Sequence, residues 1–148
     1  MSKPPPVLPM NSNDIMKCIP HRYPFLLVDR VIEMKLGHSI HTIKNFSISD
    51  PILQGHFPGN PVVPGVVMIE CMAQASAILG SYTLEGDCKD ILLLEISKSR
   101  FRQKVIPGDV LHIQVKLKKI RSAFFWFEGQ ALVGDKQVAS AEFSALMR

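Results

Sequence analysis

Two side chains have the types and spacing for joint acid–base chemistry. His56 sits in PILQGHFPGNPVVPG, residues 51–65, where four prolines and three glycines exclude a regular helix or a central strand. Such a stretch folds as a stiff loop, and a histidine held in one is a pre-organised acid or base. Glu70 follows fourteen residues later and is the one charge between Val62 and Gly80. Its neighbours, among them Val67, Met68, Ile69, Cys71 and Met72, are apolar on nearly every side, the mark of a buried helix. Glutamate is almost never fully buried unless paired, and an isolated buried carboxyl holds its proton. Glu70 therefore faces a cavity, stays protonated, or sits on a stripe that simply touches solvent. Gln74 lies one turn on, on the same stripe.

The other four histidines carry less. His38 and His41 are spaced for a metal only if helical, and they lie in a strand pattern where positions three apart face opposite ways. With no Cys or carboxylate cluster beside them, no metal site is expected. His112 falls on the polar side of a strand, and His21, before Arg22-Tyr23-Pro24, reads as a turn residue with a structural role.

The elements that must position His56 and Glu70 follow from periodicity and punctuation. Residues 1–10 form a flexible proline-rich lead, and residues 11–148 a single domain. A short helix is expected next, capped by Ser12 or Asn13 and stopped by Pro20. Strands are expected over Phe25–Met34 and Ser39–Ile48, with a turn at Gly37. The apolar helix runs from Gly65, after Pro64, to a stop at Gly80. A loop over Leu84–Asp90 leads to a strand over Ile91–Val105, then a Pro107-Gly108-Asp109 turn. Leu111, Ile113, Val115 and Leu117 alternate with polar residues, as in a half-buried strand. Ala123–Val133 and Lys136–Met147 form a hairpin through Gly134-Asp135. The order predicts an α+β fold, a largely antiparallel sheet on one dominant helix.

The chain has 148 residues, 47% of them hydrophobic, with a net charge of +4, which excludes disorder and suits one domain. Cys18, Cys71 and Cys88 are odd in number and show no paired spacing, so they read as free thiols in the cytoplasm. No run of about 18 uncharged apolar residues predicts a membrane span. Prolines break any apolar leader in MSKPPPVLPM.

GHFPGNPVVPGVVMIECMAQ, residues 55–74, resembles the signature of the β-hydroxyacyl-acyl-carrier-protein dehydratases. So do HRYPFLLVDR at 21–30, RFR at 100–102 and PGD at 107–109, in order along nearly the whole chain. The resemblance implies the hotdog fold, an antiparallel sheet wrapped around a long central helix, in homodimers or trimers of dimers with shared active sites. It implies a hydro-lyase of fatty acid and lipid A synthesis that converts (3R)-hydroxyacyl chains on acyl carrier protein to trans-2-enoyl chains, with no metal and no organic cofactor. His56 would take the proton at C2, and the partner's Glu70 would assist departure of the C3 hydroxyl. The N–H of Gly65 would bind the thioester oxygen, and the carbonyl of Val62 would fix the His56 tautomer. Phe57 and Gln74 complete the expected substrate-binding set. Glu70, where a related dehydratase/isomerase has Asp, points to the plain dehydratase. The chain departs from the commoner pattern at Ile91–Ser97, which lacks the usual aromatics, Gly and Asp, and at Lys104, where proline is commoner. The alternatives are a hotdog thioesterase, which lacks this His–Glu spacing, or a non-catalytic acyl-binding module, which has no need for both residues.

Lys98, Arg100, Arg102 and Lys104 fall on alternate residues, on one face of a strand. They form either a solvated face or a docking surface for the acidic carrier protein. The pI near 9.1 also fits nucleic acid, but no RNA- or DNA-binding motif accompanies it.

Overall fold

The computed structural model describes residues 3–84 and 88–148. The middle of the expected loop over Leu84–Asp90 lies outside the described residues. The first helix, α1 (Ser12–Met16), is capped one residue earlier than expected, by Asn11. Asn11 Oδ1 accepts from the Asp14 N–H at 3.1 Å, and the Asp14 carboxylate accepts from the Asn11 N–H, a capping box that Ser12 cannot form from inside the helix. At its other end Arg22 donates to the carbonyls of Met16 and Ile19 at 2.9 Å each. Met10, in the expected lead, is buried and bridges to Val31.

Strand β1 (Arg30–Lys35) begins later than Phe25 because the preceding backbone is engaged elsewhere. The Leu27 N–H donates to the Gln74 side chain at 2.7 Å, not to a neighbouring strand. Strand β2 (Ser39–Asn45) leads into the stiff loop, which holds one 3-10 turn at Pro51–Leu53. Helix α2 spans Gly65–Thr83 and passes through Gly80. Gly80 is not a stop: a Cβ there would strike the Met147 thioether, so glycine allows the sheet to close on the helix. Gly129 does the same for Met72, whose sulfur would lie 2.9 Å from a Cβ.

The remaining strands are β3 (Ile91–Phe101), β4 (Val110–Arg121), β5 (Phe124–Val133) and β6 (Lys136–Met147). The sheet has six strands in the order β1-β2-β4-β5-β6-β3, every pairing antiparallel. Its inner face wraps α2, burying Leu111, Ile113 and Val115 of β4 and Phe125 and Phe127 of β5. This is the hotdog architecture. By length and composition α2 could cross a membrane, which the sequence reading did not anticipate, but two-thirds of it is buried inside the sheet, as befits a core helix.

Strand β3 stops at Phe101, short of the expected Val105. It lies at the sheet edge, paired on one side to β6. Leu92, Leu94, Ile96 and Phe101 are exposed along it. A long, exposed, hydrophobic edge strand is a ready template for another chain.

Candidate active site

The loop fixes His56 at several points. Its carbonyl accepts from the Val62 N–H at 2.9 Å, and Phe57 and Asn60 exchange both backbone hydrogen bonds across Pro58-Gly59. Gly59 sits at φ +73°, which favours glycine. The His56–Phe57 peptide is cis, and the two rings stack with centroids 4.1 Å apart. His56 Nδ1 lies 2.7 Å from the Val62 carbonyl. A carbonyl oxygen only accepts, so Nδ1 carries the proton and Nε2 keeps a lone pair when the ring is neutral. Next to Val62, the Val63 N–H donates to the Val105 carbonyl at 2.8 Å and ties the loop to the segment after β3.

Pro64 caps α2 with no side-chain hydrogen bond; its carbonyl accepts from the Val67 and Met68 N–H groups, and among the described residues the Gly65 N–H has no recorded partner. The helix dipole adds a partial positive charge there. The Phe101 ring lies over Gly65, where a Cβ would come within 2.8 Å of it. Sequence reasoning missed this contact. No local pattern signals it, because Phe101 and Gly65 are 36 residues apart in sequence.

Glu70 is neither isolated nor fully buried. Its side chain is 23% exposed, and Oε1 accepts from Gln74 Nε2 at 3.0 Å. Gln74 was expected to touch substrate. It is 1% exposed, and both its N–H donors are used, by Glu70 and by the Phe25 carbonyl at 2.7 Å, while Oε1 accepts from Leu27. It stands behind Glu70 and staples residues 25–27 to α2. His21 Nε2 approaches the same Glu70 oxygen at 3.7 Å, a neighbour that sequence spacing did not reveal.

His56 and Glu70 of one chain make no ion-pair contact. The side-chain contacts recorded for His56 are with Val62 and Phe57, and those for Glu70 are with Gln74 and His21. Away from them, His41 does not join His38 but meets His112, Nε2 to Nδ1 at 2.9 Å. Burial lowers the His41 imidazole below the usual histidine range, with His112 adding to the effect and Glu33 opposing it.

On the outer face of the sheet, Lys98, Arg100, Arg102 and Lys116 line a groove of about 360 Å3. The expected alternation is broken, since a bulge between Ser97 and Arg100 puts Lys98 at φ 49°. Three of the four expected cations still share this face, whereas Lys104 lies beyond the end of β3 and outside the groove. Lys98 pairs with Glu142 at 3.5 Å. Among the described residues, Arg100, Arg102 and Lys116 have no carboxylate within 4 Å. Arg102 Nε donates to Gln137, which donates to Gln130, which donates to Gln114, a ladder across the sheet at 2.7–3.1 Å.

Residues 19–142 match the model of the FabA-like domain. The chain belongs to the FabA-like dehydratase family. It is 49% identical over 136 residues to the 3-hydroxyacyl-[acyl-carrier-protein] dehydratase FabZ of Caulobacter vibrioides, covering 90% of this chain and 86% of that one. It is 44% identical over 142 residues to the FabZ of Paracidovorax citrulli, covering 94% and 97%. The dehydratase heterocomplex ApeI:P of Xenorhabdus doucetiae superposes with a TM-score of 0.81 over 90% of each chain at 23% identity, which shows the shared fold. In this FabA-like chain the matched span contains both His56 and Glu70.

Proposed function

We propose that this chain is a 3-hydroxyacyl-[acyl-carrier-protein] dehydratase of type II fatty acid synthesis, with His56 as base and the partner subunit's Glu70 as acid. The observation that carries the assignment of roles is the Val62 lock on His56 Nδ1, which leaves Nε2 as a free base. His56 Nε2 takes the C2 proton of the (3R)-hydroxyacyl thioester. The C2–H electron pair forms the C2–C3 double bond, in the trans product, as the C3–O bond breaks. Glu70 donates a proton to the departing hydroxyl, which leaves as water. The Gly65 N–H binds the thioester oxygen while negative charge develops on it. His56 ends protonated and Glu70 ionised, and one proton returned through solvent resets both.

The lack of a direct polar contact between His56 and Glu70 of one chain fits a site completed by a second copy. The free apolar edge of β3 supports the place where that copy pairs, in a homodimer and, with further copies, a trimer of dimers. Free Cys18, Cys71 and Cys88 support a reducing compartment, the cytoplasm. The reaction is tested by ultraviolet assay with a crotonyl thioester in the hydration direction. Enoyl absorbance should fall and a 3-hydroxyacyl thioester should form. Thiol release without the hydroxy product would identify a thioesterase instead, and binding without turnover an acyl-binding module.

The groove on the outer face supports docking of the acidic carrier protein, because its unpaired cations would steer an anionic partner. Lys104 stands apart from that groove and joins the docking set only as a flanking charge. Changing Arg100 and Arg102 together to Glu should raise KM for carrier-bound substrates and leave small thioester analogues little changed. The effect should shrink in high salt, where charges more than about 8 Å apart are already screened at physiological ionic strength. Equal losses on both substrate types would place these arginines in folding or assembly instead.

A further inference from the structure

We infer that His21 is a positioning residue for Glu70: its neutral imidazole presents Nε2–H toward Glu70 Oε1, so that the transferable proton of Glu70 resides on Oε2. The inference rests on the proposed role of Glu70 as the acid.

The two side chains come from distant parts of the chain, His21 from the segment after α1 and Glu70 from the second turn of α2. Nε2 and Oε1 are 3.7 Å apart, and both side chains are about four-fifths buried, at 21% and 23% exposure. Among the described residues, His21 Nδ1 is the one buried side-chain nitrogen or oxygen with no hydrogen-bond partner. A proton on Nδ1 would be a buried donor with nothing to bond. Orphaned buried donors are rarer than under-satisfied acceptors, so the proton belongs on Nε2, where Glu70 can receive it.

The charged groups that face His21 are Glu70 from α2 and Arg22 on its own segment. Arg22 turns its guanidinium onto the carbonyls of Met16, Ile19 and His21. Burial holds the imidazole below the usual histidine range, with Glu70 pulling it upward and Arg22 downward. His21 is thus neutral near pH 7 and has one N–H to offer. Gln74 already donates to Oε1 at 3.0 Å. With the Gln74 N–H bound to Oε1 and the His21 N–H facing the same oxygen, Oε2 is left to carry the proton. Catalytic contacts that are long in the free enzyme often tighten with substrate bound. When Glu70 gives up its proton, the 3.7 Å gap closes and the His21 N–H stabilises the carboxylate.

The test compares wild type, His21→Ala and His21→Gln by enoyl formation from a 3-hydroxyacyl thioester. Without the donor, the carboxylate left after proton transfer is less stable. His21→Ala should therefore lower kcat about tenfold with little change in KM. His21→Gln keeps an N–H and should restore kcat. An unchanged kcat in His21→Ala, a loss carried by KM instead of kcat, or no recovery in His21→Gln would overturn the inference and leave His21 a purely structural residue. Should either variant fail to fold, 15N imidazole shifts of wild type decide. The Nε2–H tautomer is expected, and the Nδ1–H tautomer contradicts it. Near wild-type turnover in Glu70→Gln would instead remove the acid assignment on which His21 depends.

Discussion

His56→Ala and Glu70→Gln should each lower kcat by about 10²- to 10⁴-fold, the span by which positioned acid–base groups accelerate proton transfer. His56→Ala removes the one nitrogen free to accept the C2 proton, since Nδ1 is committed to the Val62 carbonyl. Glu70→Gln keeps the size of the side chain and its contact with Gln74 but has no proton to give a leaving hydroxyl. Neither change should unfold the chain. The His56 ring lies at the loop surface, half-buried, and the Glu70 side chain is partly exposed, so neither substitution opens a cavity in the core around α2. Thermal midpoints should therefore stay close to wild type while turnover collapses. Steady-state kinetics with a 3-hydroxyacyl thioester, beside a melting curve for each variant, checks both halves. Near wild-type turnover in either variant removes that residue from the mechanism. A collapse in melting temperature would mean that the lost activity reports folding.

Much of this arrangement is legible in the sequence because it depends on local rules. Proline and glycine density alone marks residues 51–65 as a stiff loop, and the pins on His56 come from within that loop, from Phe57 to Val62. Glu70 stands out because one carboxylate in an apolar helix breaks the expected pattern. The alternation from Leu111 to Val115 sets the buried face of β4 as read. What the sequence leaves unread depends on distant contacts. Gln74 shares a helix stripe with Glu70, but its partners Phe25 and Leu27 lie in another segment, and they turn an expected substrate contact into a staple. The same staple delays β1 to Arg30. Gly80 reads as a helix stop by local rules, yet its reason is Met147, far along the chain. The basic stripe depends on strict alternation, which fails at the bulge by Lys98 and leaves Lys104 beyond the strand. His21 reads as a turn residue because nothing nearby in sequence reveals the carboxylate it meets.

The proposed dehydration site is shared by two chains, His56 from one and Glu70 from the other. Within one chain the side-chain contacts recorded for each residue do not include the other. Equal amounts of the two inactive variants, His56→Ala and Glu70→Gln, can be allowed to exchange subunits, with exchange verified by native mass spectrometry. Random pairing makes half the dimers mixed. Each mixed dimer holds one site with both groups intact and one with neither. Enoyl formation should then rise from background to about a quarter of the wild-type rate, as expected for a two-fold assembly whose sites span the interface. Verified exchange with activity still at background would show that each site is built within one chain, and would contradict the shared site.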